Sequence, residues 1–305
     1  MNIALTRFID PGLLPYAEES KAYYEARQAA GGQKGPASYE ELQQVRSLIP
    51  KEPADSRATE LVARAINRDV PVRVTNPGSG GSRAVLLDVH GGGFYMDSAA
   101  RNDARNAYLA DALGVTVASV DYRLAPEHRW PAAPDDCETA ALWLIEEGPR
   151  LFETERIFVG GASAGANLAL TTMIRLRDRG QAKRIGGAVL QFGAYDLSGM
   201  SPGGRLYGEE WFIEAYAGHV ADKTHPDLSP LYGDLRELPP TLLLVGTRDV
   251  LLEDNLALAA RLSAAGNDVD LRVFPEAMHG FTSHPTAMAS AAQAGLEAWL
   301  ERRIG

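Results

Sequence analysis

The sequence has almost no cysteine, no long apolar run and no cluster of positive charge, and each absence excludes a class of protein. The single cysteine among 305 residues, Cys137, excludes a disulfide framework and a thiolate metal cage. No segment approaches the ~20 consecutive apolar residues of a membrane helix. Lysine and arginine never run longer than a pair and the net charge is −10, so nucleic acid and anionic membranes are poor partners.

The amino terminus lacks the pattern of a secretory signal, because residues 1–7 contain no basic region followed by a long apolar segment. We therefore expect a cytoplasmic protein. Internal repeats and low-complexity blocks are absent as well. A length of 305 residues allows two domains of ~150 residues, or one large α/β domain with an elaboration.

Beyond residue 60, short apolar runs alternate with helix-length segments. Runs that are apolar on both faces are typical of strands in a parallel sheet that helices cover on both sides. The runs are 84–89, 115–120, 157–159, 188–192, 241–245 and 269–274. Two earlier stretches, 60–66 and 70–75, have no helix between them and predict an antiparallel edge. The pattern predicts an α/β fold with one mostly parallel, doubly wound sheet of eight strands.

The first 55 residues precede this alternation and predict two helices. One covers 16–30 and ends at Gly31-Gly32. The other begins with the capping-box pattern at Ser38 and stops at Pro50. We expect residues 1–55 to form a separate helical piece in front of a domain at 56–305.

A second unusual segment lies inside that domain, as an insertion at about 198–228. It contains a helix-like stretch at 209–218 and several aromatic residues. A long insertion with its own apolar side chains favours a functional element such as a lid. A surface excursion that packs only on itself is the alternative.

A Gly-x-Ser-x-Gly pentapeptide follows the apolar run at 157–159 and precedes a helix-length segment at 164–178. This order is the nucleophile-elbow arrangement. Gly161 and Gly165 bracket Ser163 because so tight a turn leaves no room for side chains beside the serine. The hydroxyl group then lies above the sheet, where the helix dipole favours developing negative charge. The pattern predicts Ser163 as a nucleophile, and a glycine-rich turn without chemistry is the alternative.

Three successive glycines follow an earlier predicted strand, in the stretch Asp88-Val89-His90-Gly91-Gly92-Gly93-Phe94. Glycines let the backbone approach a substrate and direct its amides toward it. An oxyanion needs preorganised donors, and the N–H groups of Gly92, Gly93 and Ala164 are the natural set. His90 would hold the loop in shape through a hydrogen bond. A phosphate cradle is disfavoured because the Gly-Lys-Ser/Thr sequence and the dinucleotide spacing are both missing.

A nucleophilic serine needs a base and an orienting carboxylate. Among six histidines, His279 lies just after the last predicted strand, on a short loop before the final helix. Asp249 follows the strand at 241–245, whereas Asp254 is expected to cap the next helix. The order Ser163, Asp249, His279 is the order of the α/β-hydrolase triad.

With these segments in place, the sequence resembles the hormone-sensitive-lipase-like (bacterial family IV) branch of carboxylesterases, over residues 84 to 281. The matching motifs are His90-Gly91-Gly92-Gly93-Phe94, Asp121-Tyr122-Arg123-Leu124-Ala125-Pro126-Glu127-His128, Trp130-Pro131-Ala132-Ala133, the elbow, Asp249-x-Leu251-x-Glu253 and His279-Gly280-Phe281. The resemblance implies an α/β-hydrolase fold and a helical cap made of the amino-terminal segment and the insertion. It also implies a Ser-Asp-His esterase with an oxyanion hole at Gly92, Gly93 and Ala164. The stretch from Tyr122 to Pro131 is the family's structural turn, so Glu127 and His128 receive no catalytic role.

Three positions depart from this resemblance. The residue before the nucleophile is commonly acidic or Thr in the family and is Ala162 here, and the residue after the second elbow glycine is Ala166 in place of Gly. Neither change removes a catalytic atom. Asp88 is an unexpected charge inside an apolar strand.

The sequence therefore predicts hydrolysis of short- to medium-chain acyl or aryl esters by an acyl-enzyme mechanism, with water as the acceptor and without metal or organic cofactor. Aromatic residues are expected to line the substrate pocket: Phe94, Tyr195, Trp211, Phe212 and Phe281. The resemblance also implies a homodimer through the edge strand near Val269–Phe274. The alternatives are acyl transfer or amide cleavage with the same triad, and a binding protein that has kept the scaffold without catalysis.

Overall fold

The apolar runs of the sequence form one eight-stranded sheet in the computed structural model, which describes residues 4–31, 35–49 and 56–305. The strands are β1 (Thr59–Ala65), β2 (Arg68–Thr75), β3 (Val85–Val89), β4 (Thr116–Val120), β5 (Ile157–Ala162), β6 (Ile185–Gln191), β7 (Thr241–Gly246) and β8 (Val269–Phe274). Their order in the sheet is β1-β2-β4-β3-β5-β6-β7-β8. β2 runs antiparallel to β1 and β4, and all other pairs are parallel. The predicted fold class, including its antiparallel edge, is confirmed.

Helices cover both faces of the sheet. They are α1 (Ala17–Ala29), α2 (Tyr39–Leu48), α3 (Asp103–Leu113), α4 (Ala132–Phe152), α5 (Ala164–Asp178), α6 (Trp211–Ala217), α7 (Leu252–Ala264) and α8 (Ala287–Ile304), with short 3-10 turns between them. α4, α5 and α7 bury their apolar residues in one core, and α3 and α8 bury theirs in a second core on the opposite face. None of the described helices is long and apolar enough to cross a membrane.

The alternation of side chains along β3 explains how one strand serves two cores. Leu87 and Val89 point into the α4–α5 core, whereas Leu86 points into the α3–α8 core. Because successive side chains alternate, Asp88 lies on the same face as Leu86 and meets α3. The carboxyl ends of β3, β5, β7 and β8 meet at one edge of the sheet, and the loops that follow them carry the predicted functional residues.

The amino-terminal helices follow the predicted pattern with small shifts at their ends. The hydroxyl of Ser38 accepts a hydrogen bond from the Glu41 amide at 3.2 Å, and the Glu41 carboxylate accepts one from the Ala37 amide at 2.8 Å. α2 therefore begins with a capping interaction of the expected kind. The predicted boundary at residue 55 and the stop at Pro50 lie outside the described residues.

Candidate active site

Ser163 lies at a sharp turn between β5 and α5, where the sequence predicts an elbow. Its backbone φ of 56° is unusual for a residue with a side chain. A Cβ atom on Gly161 would lie 2.2 Å from the Gly165 carbonyl oxygen, and one on Gly165 would lie 2.1 Å from the Val89 carbonyl oxygen. The turn therefore requires both glycines, and it leaves the Ser163 side chain partly exposed.

The side chains of Ser163, His279 and Asp249 form a continuous hydrogen-bonded chain. His279 Nε2 lies 2.9 Å from Ser163 Oγ. His279 Nδ1 lies 3.1 Å from each carboxylate oxygen of Asp249. The Asp249 side chain is fully shielded from solvent, whereas 40% of the His279 side chain is exposed. A buried carboxylate that accepts from Nδ1 leaves Nε2 free to take the serine proton.

The loops after β7 and β8 hold this pair in place. The amide of Leu251 donates to Asp249 Oδ1 at 2.9 Å. The amide of Arg248 donates to the Ala277 carbonyl at 3.0 Å, which ties the aspartate loop to the histidine loop. The ring of Phe192, at the end of β6, contacts the His279 ring edge-on with centroids 5.2 Å apart. The imidazole is therefore oriented from three elements.

The glycine loop after β3 brings the predicted oxyanion donors to the same edge. Gly92 and Gly93 have φ values of 108° and 61°. The amides of Gly92, Gly93 and Ala164 donate to no other group within the described part of the chain. Gly91 approaches the elbow so closely that a Cβ atom there would lie 3.6 Å from Ser163 Cβ. The arrangement places three unpaired N–H groups beside the nucleophile, as an oxyanion hole requires.

His90 holds the shape of the glycine loop through contacts with the loop and with Tyr122. Its Nδ1 atom donates to the Gly91 carbonyl at 2.8 Å, which assigns the proton to that nitrogen. Its ring stacks on Tyr122 with centroids 4.1 Å apart, and the Tyr122 hydroxyl donates to the His90 carbonyl at 3.0 Å. The motif around Tyr122 is tied down in turn, since Asp136 accepts from the Arg123 side chain at 2.8 Å. His90 thus has the loop-shaping contacts that the sequence predicts.

The burial of His90 predicts an acid-sensitive fold. Burial lowers the pKa of the His90 imidazole below its usual 6.5. The unfolded chain then binds a proton that the folded chain does not, so the free energy of unfolding falls as the pH drops below about 6.5. We expect His90→Asn, which keeps a donor near Gly91, to cost about 1–3 kcal/mol near neutral pH and clearly less at about pH 5. Urea unfolding at both pH values measures this, with the exposed His128→Asn as control; an equal cost at both values contradicts it.

Helix α1 packs against the loop that carries His279. The Ser20 hydroxyl donates to the Glu276 carbonyl at 3.0 Å, and the Tyr24 hydroxyl lies 2.9 Å from His284 Nδ1. The amide of Ala287, at the start of α8, donates to the Glu19 carboxylate at 3.2 Å. The loop is therefore anchored to α1 on both sides of His279.

Removing one of these anchors is expected to affect both stability and turnover. Tyr24 is 1% exposed, and Tyr24→Phe leaves the packing but deletes the hydrogen bond to His284. We expect a loss of about 1 kcal/mol in the free energy of unfolding. We also expect a kcat several-fold lower at unchanged KM, because His279 is held less firmly. Tyr23→Phe on the same helix is the matched control, and equal kinetics for the two variants would contradict the anchoring role.

The unexpected Asp88 is a buried structural charge. It accepts hydrogen bonds from Asn102 at 3.0 Å and from Ser119 at 2.9 Å, and Arg105 lies 3.5 Å away. Burial alone would raise the pKa of the Asp88 carboxyl, but Arg105 and the polar donors outweigh it and hold the pKa below its usual value. α3 supplies Arg105 and Asn106, and the 3-10 turn just before it supplies Asn102, so the start of this helix is bound to the Asp88 carboxylate of β3.

A cavity of about 640 Å³ opens above Ser163 and extends between α3 and α8. Near the triad it is lined by the glycine loop, Ala162, Gln191, Phe192 and Gly280. Farther out its walls carry both apolar and charged side chains: Met96, Asp97, Arg101, Arg105, Tyr108, Leu109, Gln293, Leu296 and Glu297. No local sequence pattern marks these residues, because the fold brings them together from distant segments.

The aromatic residues predicted to line the pocket lie elsewhere. Phe94, Tyr195 and Phe281 have no exposed surface, and none of the five predicted residues borders the cavity above Ser163. Phe94 stacks on Tyr216 of the insertion with ring centroids 4.1 Å apart. Trp211 borders a separate cavity beside Pro36 and Ala37. Phe212 stacks near Tyr95 and Tyr207. The rings of Phe94, Trp211 and Phe212 thus pack the insertion against the end of the glycine loop, whereas Phe281 packs on Phe192 and Phe274.

Asp254 is a second correction. It was expected to cap α7, but it lies inside the first turn of that helix, which has no side-chain cap. Its carboxylate accepts from the amides of Tyr195 at 2.7 Å and Asp196 at 3.0 Å, and from the Tyr207 hydroxyl. Burial raises the pKa of the Asp254 carboxyl. This aspartate therefore anchors the start of the insertion to α7.

The described residues contain no group of three His, Cys, Asp or Glu side chains that could hold a metal ion. Cys137 is buried in α4, away from the loops that carry Ser163 and His279.

Comparison with known proteins identifies the fold and the family. The profile of a family described as having the alpha/beta hydrolase fold matches residues 86–283. An ethyl acetate hydrolase of Pseudomonas putida is 34% identical over 228 residues, which cover 70% of this chain and 71% of the relative. The carboxylic ester hydrolase LipN of Mycobacterium tuberculosis is 33% identical over 70% of this chain, a match that spans 61% of that protein's length.

Solved structures agree as well. An esterase of Pyrobaculum calidifontis superposes with a TM-score of 0.79 at 28% identity, covering 91% of this chain and 97% of that one. An esterase from the bacterial hormone-sensitive lipase family superposes with a TM-score of 0.77 at 26% identity, covering 95% and 99%. The chain therefore belongs to the α/β-hydrolase family, in its branch of hormone-sensitive-lipase-like carboxylesterases.

Proposed function

We propose that this carboxylesterase cleaves its substrates through an acyl-enzyme on Ser163, with His279 as general base and Asp249 as the orienting carboxylate. One observation carries the proposal: His279 is within hydrogen-bond distance of both partners at the same time. Its Nε2 atom lies 2.9 Å from Ser163 Oγ, and its Nδ1 atom lies 3.1 Å from each carboxylate oxygen of Asp249. A base within hydrogen-bond reach of both its nucleophile and its orienter is the geometric requirement for nucleophilic catalysis.

The reaction has two balanced halves. Ser163 Oγ attacks the ester carbonyl while His279 Nε2 takes its proton, and the same proton then goes to the departing alcohol as the ester C–O bond breaks. In the second half, a water oxygen attacks the acyl-enzyme carbonyl while His279 Nε2 takes a proton from the water. That proton returns to Ser163 Oγ as the acyl–oxygen bond breaks and the acid leaves. The amides of Gly92, Gly93 and Ala164 stabilise the oxyanion in both halves, and each such donor contributes about 3 kcal/mol of transition-state stabilisation.

The proposed substrates are short- to medium-chain acyl or aryl esters. A cavity of about 640 Å³ accommodates a small ester and not a long triglyceride. The Pseudomonas putida relative is an ethyl acetate hydrolase, and ethyl acetate belongs to the same size class.

A chain-length series of p-nitrophenyl esters tests this substrate class. We expect kcat/KM to be highest for acetate or butyrate and to fall steeply through octanoate to palmitate, because a longer acyl chain exceeds the cavity. A flat profile, or a maximum at palmitate, would contradict the size class while leaving the triad assignment untouched.

We also propose that the two helical pieces form one cap. Arg46 of α2 donates to the Tyr95 carbonyl at 2.9 Å and to the Ala125 carbonyl at 2.7 Å, and it pairs with Glu127 at 2.7 Å. A second cavity is lined both by Pro36 and Ala37 and by residues 205–214 of the insertion. The two pieces are thus neighbours beside the glycine loop, which suits a shared role in substrate access.

Dimerisation through β8 is a further part of the proposal. β8 is the last strand of the sheet, and among the described residues only β7 pairs with it. The amino-terminal residues Leu5 and Phe8 lie beside this edge and border a cavity with Val269 and Leu271. Light scattering of the purified chain distinguishes a dimer from a monomer. The cytoplasmic location stays a prediction.

A further inference from the structure

The far end of the active-site cavity carries charges that the hydrolytic mechanism does not use. We name this end the α3–α8 arm; it is lined by Arg105, Tyr108 and Leu109 of α3 and by Gln293, Leu296 and Glu297 of α8. Both sides of the arm belong to regular helices packed against each other. The backbone on both sides of the arm is therefore held in place, which is what a specificity pocket built on regular elements requires.

The cations of the cavity already have carboxylate partners. Arg101 pairs with Asp97 at 3.1 Å. Arg105 pairs with Asp88 at 3.5 Å, and the Asp88 side chain is 1% exposed. Each arginine is thus neutralised locally, and neither leaves an uncompensated positive charge in the cavity.

Glu297 has no such compensation. Among the described residues, no Lys, Arg or His nitrogen lies within 4.0 Å of its carboxylate. Its Oε1 atom is buried without a protein donor, and its Oε2 atom accepts only a long 3.4 Å hydrogen bond from Tyr108. Burial raises the pKa of the Glu297 carboxyl, and no nearby cation opposes this effect. Partly buried carboxylates are normally paired, so an unpaired one in an active-site cavity indicates a ligand that supplies the partner.

Gln293 adds a second acceptor one helical turn before Glu297. Its Nε2 atom donates to the Thr282 carbonyl at 2.7 Å, which fixes the orientation of the amide. Its Oε1 atom accepts no hydrogen bond from the described residues, so it remains available to a ligand. Residues four apart lie on the same face of a helix, so the two acceptors are neighbours. The apolar side chains of Leu109 and Leu296 line the arm beside them.

We propose that the α3–α8 arm binds a protonated amine of the ester substrate, with Glu297 as counter-ion, Gln293 as second acceptor and the two leucines as the wall for the connecting alkyl chain. The proposal rests on the hydrolytic function proposed above and names its substrate class: esters that carry an ammonium group. The amine takes no part in bond breaking. It positions the ester carbonyl at Ser163, so Glu297 is a specificity-determining residue and not a catalytic one.

Matched six-carbon inhibitors test the arm. Hexylamine, which is protonated at neutral pH, 1-hexanol and hexanoate are compared as competitive inhibitors of p-nitrophenyl butyrate hydrolysis by the full chain. We expect hexylammonium to bind about tenfold more tightly than hexanol, which corresponds to about 1.4 kcal/mol. Glu297→Gln is expected to abolish this preference, because it keeps the shape of the side chain and removes only its charge.

Glu301→Gln is the matched control. Glu301 lies one turn farther along α8, half exposed, and pairs with Arg83 at 2.9 Å, outside the cavity. This variant should keep both turnover and the amine preference. Equal binding of hexylammonium and hexanol would overturn the proposal, and so would tightest binding of hexanoate, which would make Arg105 the recognition residue.

Calorimetric titration with hexylamine separates this proposal from the hydrolytic one. Binding that depends on Glu297 is measurable without turnover. Absence of ester hydrolysis by the wild type would therefore count against the proposed function alone. Absence of Glu297-dependent binding in an active enzyme would count against the arm alone.

Discussion

Ser163→Ala is expected to lower kcat for p-nitrophenyl butyrate by about 10⁵–10⁶-fold and to leave the fold unchanged. Removing the nucleophile of a serine triad costs nearly as much as removing the whole triad, because the three residues act as a unit. Ser163 Oγ makes one hydrogen bond among the described residues, to His279 Nε2. Its loss therefore leaves no buried donor or acceptor unpaired.

The measurement is kcat of each purified variant, free of contaminating esterase. A urea unfolding curve is recorded for each variant as well. Ser290→Ala is the control, since Ser290 is an exposed serine on α8. A stability within about 0.5 kcal/mol of the wild type shows that the lost rate is chemical. A variant that retains more than a small fraction of wild-type activity would contradict the assignment of Ser163.

Gly165→Ala is expected to destabilise the protein by about 3–5 kcal/mol. This holds although alanine is about 1 kcal/mol more favourable than glycine inside a helix. The added Cβ atom would lie 2.1 Å from the Val89 carbonyl oxygen and 2.5 Å from the His90 carbonyl oxygen. Both are backbone atoms of β3 and the glycine loop, so no side-chain rotation relieves the clash. The free-energy cost of the clash is therefore much larger than the gain in helix propensity.

Relief of that clash must move β3 away from α5, and the oxyanion donors of the glycine loop move with it. We expect kcat to fall along with stability. Gly81→Ala is the matched control, because a Cβ atom at Gly81 meets nothing within 4 Å and its φ is ordinary. Urea unfolding and butyrate turnover measure both effects. Wild-type stability for Gly165→Ala would contradict the close approach of α5 and β3.

The strands and the triad were predictable because their signals are local. A buried parallel strand is apolar on both faces, and each predicted functional residue directly follows such a strand. The β5–α5 elbow, the loop after β7 and the loop after β8 then share one edge of the sheet by topology alone. The fold, the family and the esterase class are confirmed on this basis.

Helix ends were less predictable, and α4 shows the reason. The alternation of strands and helices predicts a helix-length segment at 134–147, yet α4 continues through Gly148 and Pro149 to Phe152, although proline normally ends a helix. Pro149 cannot donate to the carbonyl of Ile145. That carbonyl lies 3.5 Å from the Arg184 guanidinium, which acts as a donor in its place. A partner 39 residues away in the sequence thus permits a proline that the local pattern forbids.

The pocket was predicted least well, because aromatic residues in a lid and aromatic residues in a core have the same local pattern. Phe94 and Tyr216 are partners in a stack, which no spacing reveals. The charged wall of the cavity is formed by α3 and α8, whose polar residues have the pattern of ordinary solvent-facing positions. Only the packing of the two helices brings Arg105 and Glu297 to the same cavity.

Covalent labelling tests the central claim most directly. The claim is that Ser163 is a nucleophile activated by His279. We expect an alkyl fluorophosphonate to add one phosphonyl group per chain, on Ser163, as read by intact mass and peptide mapping. Labelling should vanish in Ser163→Ala and slow by several orders of magnitude in His279→Ala. Labelling of a different residue, or an unlabelled wild type that still hydrolyses esters, would contradict the account.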